Sequence, residues 1–198
     1  MIKTRPNCLF LPETDRIMNQ NKTNFLIAAV LVVFAVVLKV ITYPHSFNPI
    51  IAIALFSGAV ISDKKLAFAM PLFAMFFSDL IFEIFNIAPG FYGLEQAGNY
   101  VALLLVTVFG FGMHKITPVK VAGFSIGASL LFFFLSNSNT FLFDTFNSYE
   151  SGFAGWTTCM AAGIPFLKIK LLTDLFFSVV LFSSYVLIFR NEVKKAIA

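Results

Sequence analysis

LAFAMPLFAMFFSDLIFEIFNI, residues 66–87, decides how the rest of the chain is read. The stretch is apolar for longer than the roughly 20 residues an α-helix needs to cross a bilayer core of about 30 Å. Its only charges are acidic, Asp79 and Glu83. A carboxylate at mid-membrane costs roughly 2.5 to 3.5 kcal/mol on insertion scales, so acids in such a run face a bundle interior and find partners. The four-residue spacing sets both on one stripe of the helix. With Leu66 as the inner end, Asp79 lies about 20 Å up the helix, in the outer half of a bilayer.

Similar runs flank this one. The spans expected are Asn24–Thr42, Asn48–Ser62, Leu66–Ile87, Asn99–Met113, Val119–Asn137 and Leu171–Phe189. Hydrophobic residues make up 59% of the 198 and charged residues 12%, a balance that excludes an ordinary water-soluble domain. The runs are continuously apolar instead of alternating, which favours helices over an outer-membrane barrel. The expected fold is all-α, a polytopic six-transmembrane-helix bundle. One domain, residues 24–198, follows a disordered cytoplasmic tail, residues 1–23, within which Met18 offers an alternative start. An additional outer interfacial or re-entrant helix is expected over residues 153–167, because Phe153, Trp156, Met160, Ile164 and Leu167 recur at spacings of three or four.

Charge sets the orientation. With both termini cytoplasmic, all of the 14 Lys and Arg except Lys39, Lys168 and Lys170 fall inside, in agreement with the positive-inside rule. The expected location is the bacterial cytoplasmic (inner) membrane, with the lipid bilayer as the surrounding partner. The net charge of +4 is spread over short tails and loops with no sustained basic face, which speaks against nucleic acid. His45 and His114 fall on opposite sides, and neither has ligands at metal spacing. No zincin motif, phosphate-binding loop or nucleophile elbow occurs, so no enzyme, metal or cofactor is expected.

Asp174 stands in the last span at a depth close to that of Asp79, in a matching context: Ser78-Asp79-Leu80 and Thr173-Asp174-Leu175. Lys39, Lys168 and Lys170 are the cations at that depth. Two readings stay open. Either the lysines and hydroxyls simply satisfy the acids, or Asp79, Glu83 and Asp174 line an outward-facing substrate-binding pocket with Asn48, Asn99, Tyr100 and Trp156. Small residues at four-residue spacing, Ala54 with Gly58 and Gly123 with Gly127, mark helix-packing positions.

The stretch from Asn48-Pro49 through Gly58-Ala59, followed by Ser62-Asp63-Lys64-Lys65, Pro71 and Ser78-Asp79-Leu80, resembles a family of largely uncharacterised bacterial six-helix membrane proteins. Asn99-Tyr100, Ala162-Gly163-Ile164-Pro165-Phe166 and Asp174-Leu175-Phe176 look like its later blocks. That family in turn looks like the substrate-binding S components of energy-coupling factor transporters. The resemblance implies a six-helix protein that captures a vitamin-like molecule or trace nutrient outside and works with a transmembrane coupling subunit and ATPases. The Ala-x-x-x-Ala docking pattern typical of S components is absent from the first span, where Val32 and Val33 follow Ala28 and Ala29. The expected function is therefore substrate capture for uptake. The alternatives are a self-contained ion-coupled carrier that uses the intramembrane carboxylates, or a non-transporting membrane scaffold.

Overall fold

The computed structural model describes residues 30–43, 47–144 and 148–197, with side chains placed as far as residue 187. The expected tail, Met18 and His45 lie outside the described residues. Within them the fold is all-helical, with no strand. The helices are α1 (Val30–Ile41), α2 (Ile50–Val60), α3 (Lys64–Ile84), α4 (Leu94–Gly110), α5 (Pro118–Leu142) and α6 (Phe153–Ile197).

The shortest of the helices after α1 is the centre. Nothing in α2 is charged, and Ile50 through Gly58 are all buried, as expected for a helix apolar on every side. It packs against α3, α4, α5 and α6. The approach to α4 is backbone on backbone: a Cβ on Gly58 would overlap the Thr107 carbonyl, and one on Gly110 would stand 2.6 Å from the Leu55 carbonyl oxygen. Ala54 is fully buried in the same contact region. Gly127 lies against the Phe109 ring of α4, whereas a Cβ on Gly123 would meet nothing within 4 Å. The close contact of that glycine pair is therefore Gly127's.

Local signals set the helix starts. Asp63 accepts a hydrogen bond from the Lys65 amide at 2.9 Å and caps α3. Thr117 caps α5 through the Lys120 amide, and Pro118 occupies the first turn, where its missing N–H costs nothing. The α3–α4 connection turns at Asn86 and at Gly93, both with positive φ.

Two helices, α3 and α5, are long and apolar enough to cross a membrane. Around the central helix the outward faces carry exposed apolar side chains, among them Phe73, Phe76, Phe77, Val101, Leu130, Phe134, Phe166, Leu172 and Phe176. The helix expected as a separate outer element over residues 153–167 is instead the first third of α6, which continues unbroken to Ile197. Pro165 deletes one donor from the ladder without ending it. The apolar spacing of residues 153–167 simply carries on through Lys168 and Lys170, so those charges mark no boundary. At 1.5 Å per residue, α6 is about 67 Å long, more than the thickness of a bilayer.

Candidate functional site

Two carboxylates organise the end of the bundle where α1, α3 and α5 finish and where α4 and α6 begin. Asp79, on the last third of α3, is 3% exposed. Its Oδ1 is 2.6 Å from Lys39 Nζ on α1. Its Oδ2 accepts from Gln96 Nε2 at 2.9 Å and from the Tyr100 hydroxyl at 3.0 Å, both on α4. Three donors on two oxygens nearly exhaust what a carboxylate can accept. Lys39 is held in turn by Met75 Sδ at 3.6 Å and stands 5.3 Å from the centre of the Phe82 ring.

The same network fixes the α3–α4 loop. Gln96 also donates to the Gly90 carbonyl at 2.8 Å, and its own oxygen accepts from the Tyr92 amide. Glu83 Oε2 accepts the amides of Gly90 and Phe91 at 3.0 and 3.4 Å. Asn99 donates to the Tyr92 hydroxyl, while its buried Oδ1 has no hydrogen-bond partner among the described residues. Partial burial pushes the Tyr92 phenol above its ordinary value, against the downward pull of the Asn99 amide, and keeps it protonated.

Asp174 forms a separate centre on α6 and is fully buried. Its Oδ2 accepts from Ser129 on α5 at 2.8 Å. Among the described residues its Oδ1 is met only by an ion pair with Lys170 Nζ at 3.5 Å, one turn away on the same helix. Directly above this pair α5 and α6 part to leave a cavity of about 230 Å³. Phe132, Phe133, Phe166 and Leu167 form its apolar walls, with Ser129, Asn137 and Lys170 as polar points. Such a space, mostly apolar with a few convergent polar groups, is the usual make-up of a small-molecule site. Lys170 is its one charged lining residue.

Asp79, Glu83, Asn99 and Tyr100 are thus gathered into one hydrogen-bonded network, and Asp174 stands in another. The two acids share no hydrogen-bond or ion-pair partner. Asn48 accepts from the Ile50 amide at the start of α2. Trp156 Nε1 donates to Ser138 at 3.2 Å, with its ring stacked on Phe153. None of these seven residues lines the 230 Å³ cavity. Its walls went unread because Phe132, Phe133 and Phe166 look in sequence like any lipid-facing residue. Gly163 carried the one available signal, a glycine inside a helical pattern: a Cβ there would stand 2.5 Å from Asn137 Oδ1. Among the described residues no three His, Cys, Asp or Glu side chains gather as a metal site.

Residues 19–196 match a family described as a family of unknown function, DUF6580. The chain belongs to that family. No curated protein and no solved structure matches it.

Proposed function

We propose that this family member is a membrane-embedded capture component for uptake of a small molecule, with the cavity between α5 and α6 as its binding site. The observation that carries the reading is an apolar hollow between α5 and α6 whose one charged lining residue, Lys170, pairs with the buried Asp174. The breadth of the exposed apolar faces supports a bilayer as the surrounding solvent, because in water such patches would drive aggregation. In this reading all six helices belong to one membrane bundle. Both termini are cytoplasmic, the cavity faces outward, and α6 extends beyond the lipid. No phosphate-binding loop is present in the sequence, so energy comes from separate subunits in the manner of the S components the chain resembles.

Native mass spectrometry of the protein extracted in mild detergent tests the proposal. A small molecule retained by the native chain and lost from Lys170→Gln supports it. A chain that carries no ligand after growth in rich medium, and gains none from a vitamin mixture, overturns it.

A second reading, a self-contained carrier, draws on one specific feature. A further hollow of about 370 Å³ lies along the same α5–α6 seam at its opposite end, lined by Thr117, Val121, Phe182 and Ser183 among others. Uptake by proteoliposomes that hold this chain alone, driven by an ion gradient, selects this reading over the first.

A further inference from the structure

The α5–α6 seam holds an unusual concentration of unsatisfied oxygen. Four buried side-chain oxygen atoms lack a hydrogen-bond partner among the described residues, and three of them belong to Ser125, Asp174 and Ser178. All three residues are at most 1% exposed. Asp174 Oδ1 is met by Lys170 alone, as an ion pair, and because buried polar groups are nearly always paired the two serine hydroxyls call for an occupant, a water or an ion.

The helix register brings these atoms together. The hairpin runs antiparallel, as the contacts Trp156–Ser138, Cys159–Asn137 and Asp174–Ser129 step in opposite directions along the two helices. One further turn inward from Ser129 is Ser125, and one further turn inward from Asp174 is Ser178. Further inward Val121 of α5 and Phe182 of α6 line the inner hollow together, so Ser125 and Ser178 fall at one level of the seam, between that hollow and the Ser129–Asp174 contact. Every ligating atom in this column is oxygen, and its formal charge is a single carboxylate.

We infer that Ser125, Ser129, Asp174 and Ser178 form a binding site for a dehydrated monovalent hard cation, with sodium as the best match. Oxygen donors suit hard cations, and one carboxylate balances one positive charge in a buried site, where a divalent ion would be left with uncompensated charge. Lys170 now plays the part of stand-in. Its ammonium lies 3.5 Å from Asp174 Oδ1 without a hydrogen bond, and its side chain borders the cavity above, into which it can withdraw when a cation takes its place. Sodium and the Lys170 ammonium thus compete for one carboxylate oxygen. The site shares Ser129 and Lys170 with the cavity lining, but its occupancy by sodium is measured with no captured molecule present.

The experiment is thermal unfolding of the full chain in detergent, titrated with NaCl against choline chloride at constant ionic strength, with equilibrium binding of radioactive sodium alongside. Native protein is expected to gain stability in sodium, saturably, and to bind it in one-to-one ratio. Ser178→Ala loses one neutral ligand and should weaken sodium affinity by about tenfold. Asp174→Asn should abolish binding. Lys170→Met removes the competitor and should tighten binding, a change in the opposite direction that loss of a merely structural contact would not produce. Equal stability in sodium and choline overturns the inference, as does sodium binding that survives Asp174→Asn. If Asp174→Asn fails to fold, the opposed effects of Ser178→Ala and Lys170→Met still decide, and affinities unchanged in both variants overturn the inference.

Discussion

Lys39 Nζ and Asp79 Oδ1, on helices 40 residues apart in sequence, approach to 2.6 Å with side chains 14% and 4% exposed. Removing one member of such a buried pair strands the other charge, which costs more than the pair contributes. Asp79→Ala is expected to destabilise the protein by about 3 to 5 kcal/mol, measured by denaturant unfolding in detergent. Lys39→Met combined with Asp79→Leu should recover more than half of that loss, because an apolar pair of similar volume leaves no charge stranded. A double variant no better than Asp79→Ala would show that Gln96 and Tyr100, not Lys39, make Asp79 necessary.

Much of this arrangement was legible in the chain. The acids in the apolar runs required partners, and two of the lysines expected at that depth supply them, Lys39 for Asp79 and Lys170 for Asp174. A hydroxyl was expected as a partner and Ser129 supplies it, whereas Gln96 was missed because a search for charge passes over amides, although a carboxylate accepts equally from both. The unbroken course of α6 was missed for a different reason. Lys168 and Lys170, placed near the outer face, fall between the helix expected over residues 153–167 and the span expected from Leu171, yet two long aliphatic stems fit within one helix. Of the cavity only Gly163 gave a sign, since it is a gap between packed helices and no residue type encodes a gap.

Two glycines in similar sequence settings should respond in opposite ways. Gly58→Ala forces a methyl group onto the Thr107 carbonyl, which only separation of α2 from α4 can relieve. A loss of about 1 to 3 kcal/mol is expected, with a lower yield of monodisperse protein. Gly123→Ala meets open space and should be neutral or stabilising by up to about 1 kcal/mol, because a helix-interior glycine carries an entropic cost. The measurement is the thermal midpoint of each purified variant.

Glu83 holds a loop instead of a ligand in this structure. Its carboxylate accepts two successive amides, those of Gly90 and Phe91, while its backbone carbonyl accepts from Asn86 where the helix ends. Glu83→Ala should raise hydrogen exchange of residues 88–93 several-fold, while exchange in α2 and α5 stays unchanged. Because the side chain is largely exposed, the global cost should be small, about 1 kcal/mol. Exchange that rises across the whole of α3 would mean that Glu83 stabilises the helix itself.

Gly163 offers the most direct control over the cavity. A methyl group here would stand 2.5 Å from Asn137 Oδ1 and 2.8 Å from the Phe133 ring, and both of these side chains line the 230 Å³ space. The neighbours are ends of side chains, so they can give way, and the hollow beside them is the open direction. Gly163→Ala is therefore expected to fold with a thermal midpoint close to the native value while its cavity shrinks by at least the volume of a methyl group. Any molecule that co-purifies with the native chain should be lost or weakened by about tenfold or more in this variant, read by native mass spectrometry and by equilibrium binding. Retention of the same molecule at native affinity would place its site elsewhere in the bundle.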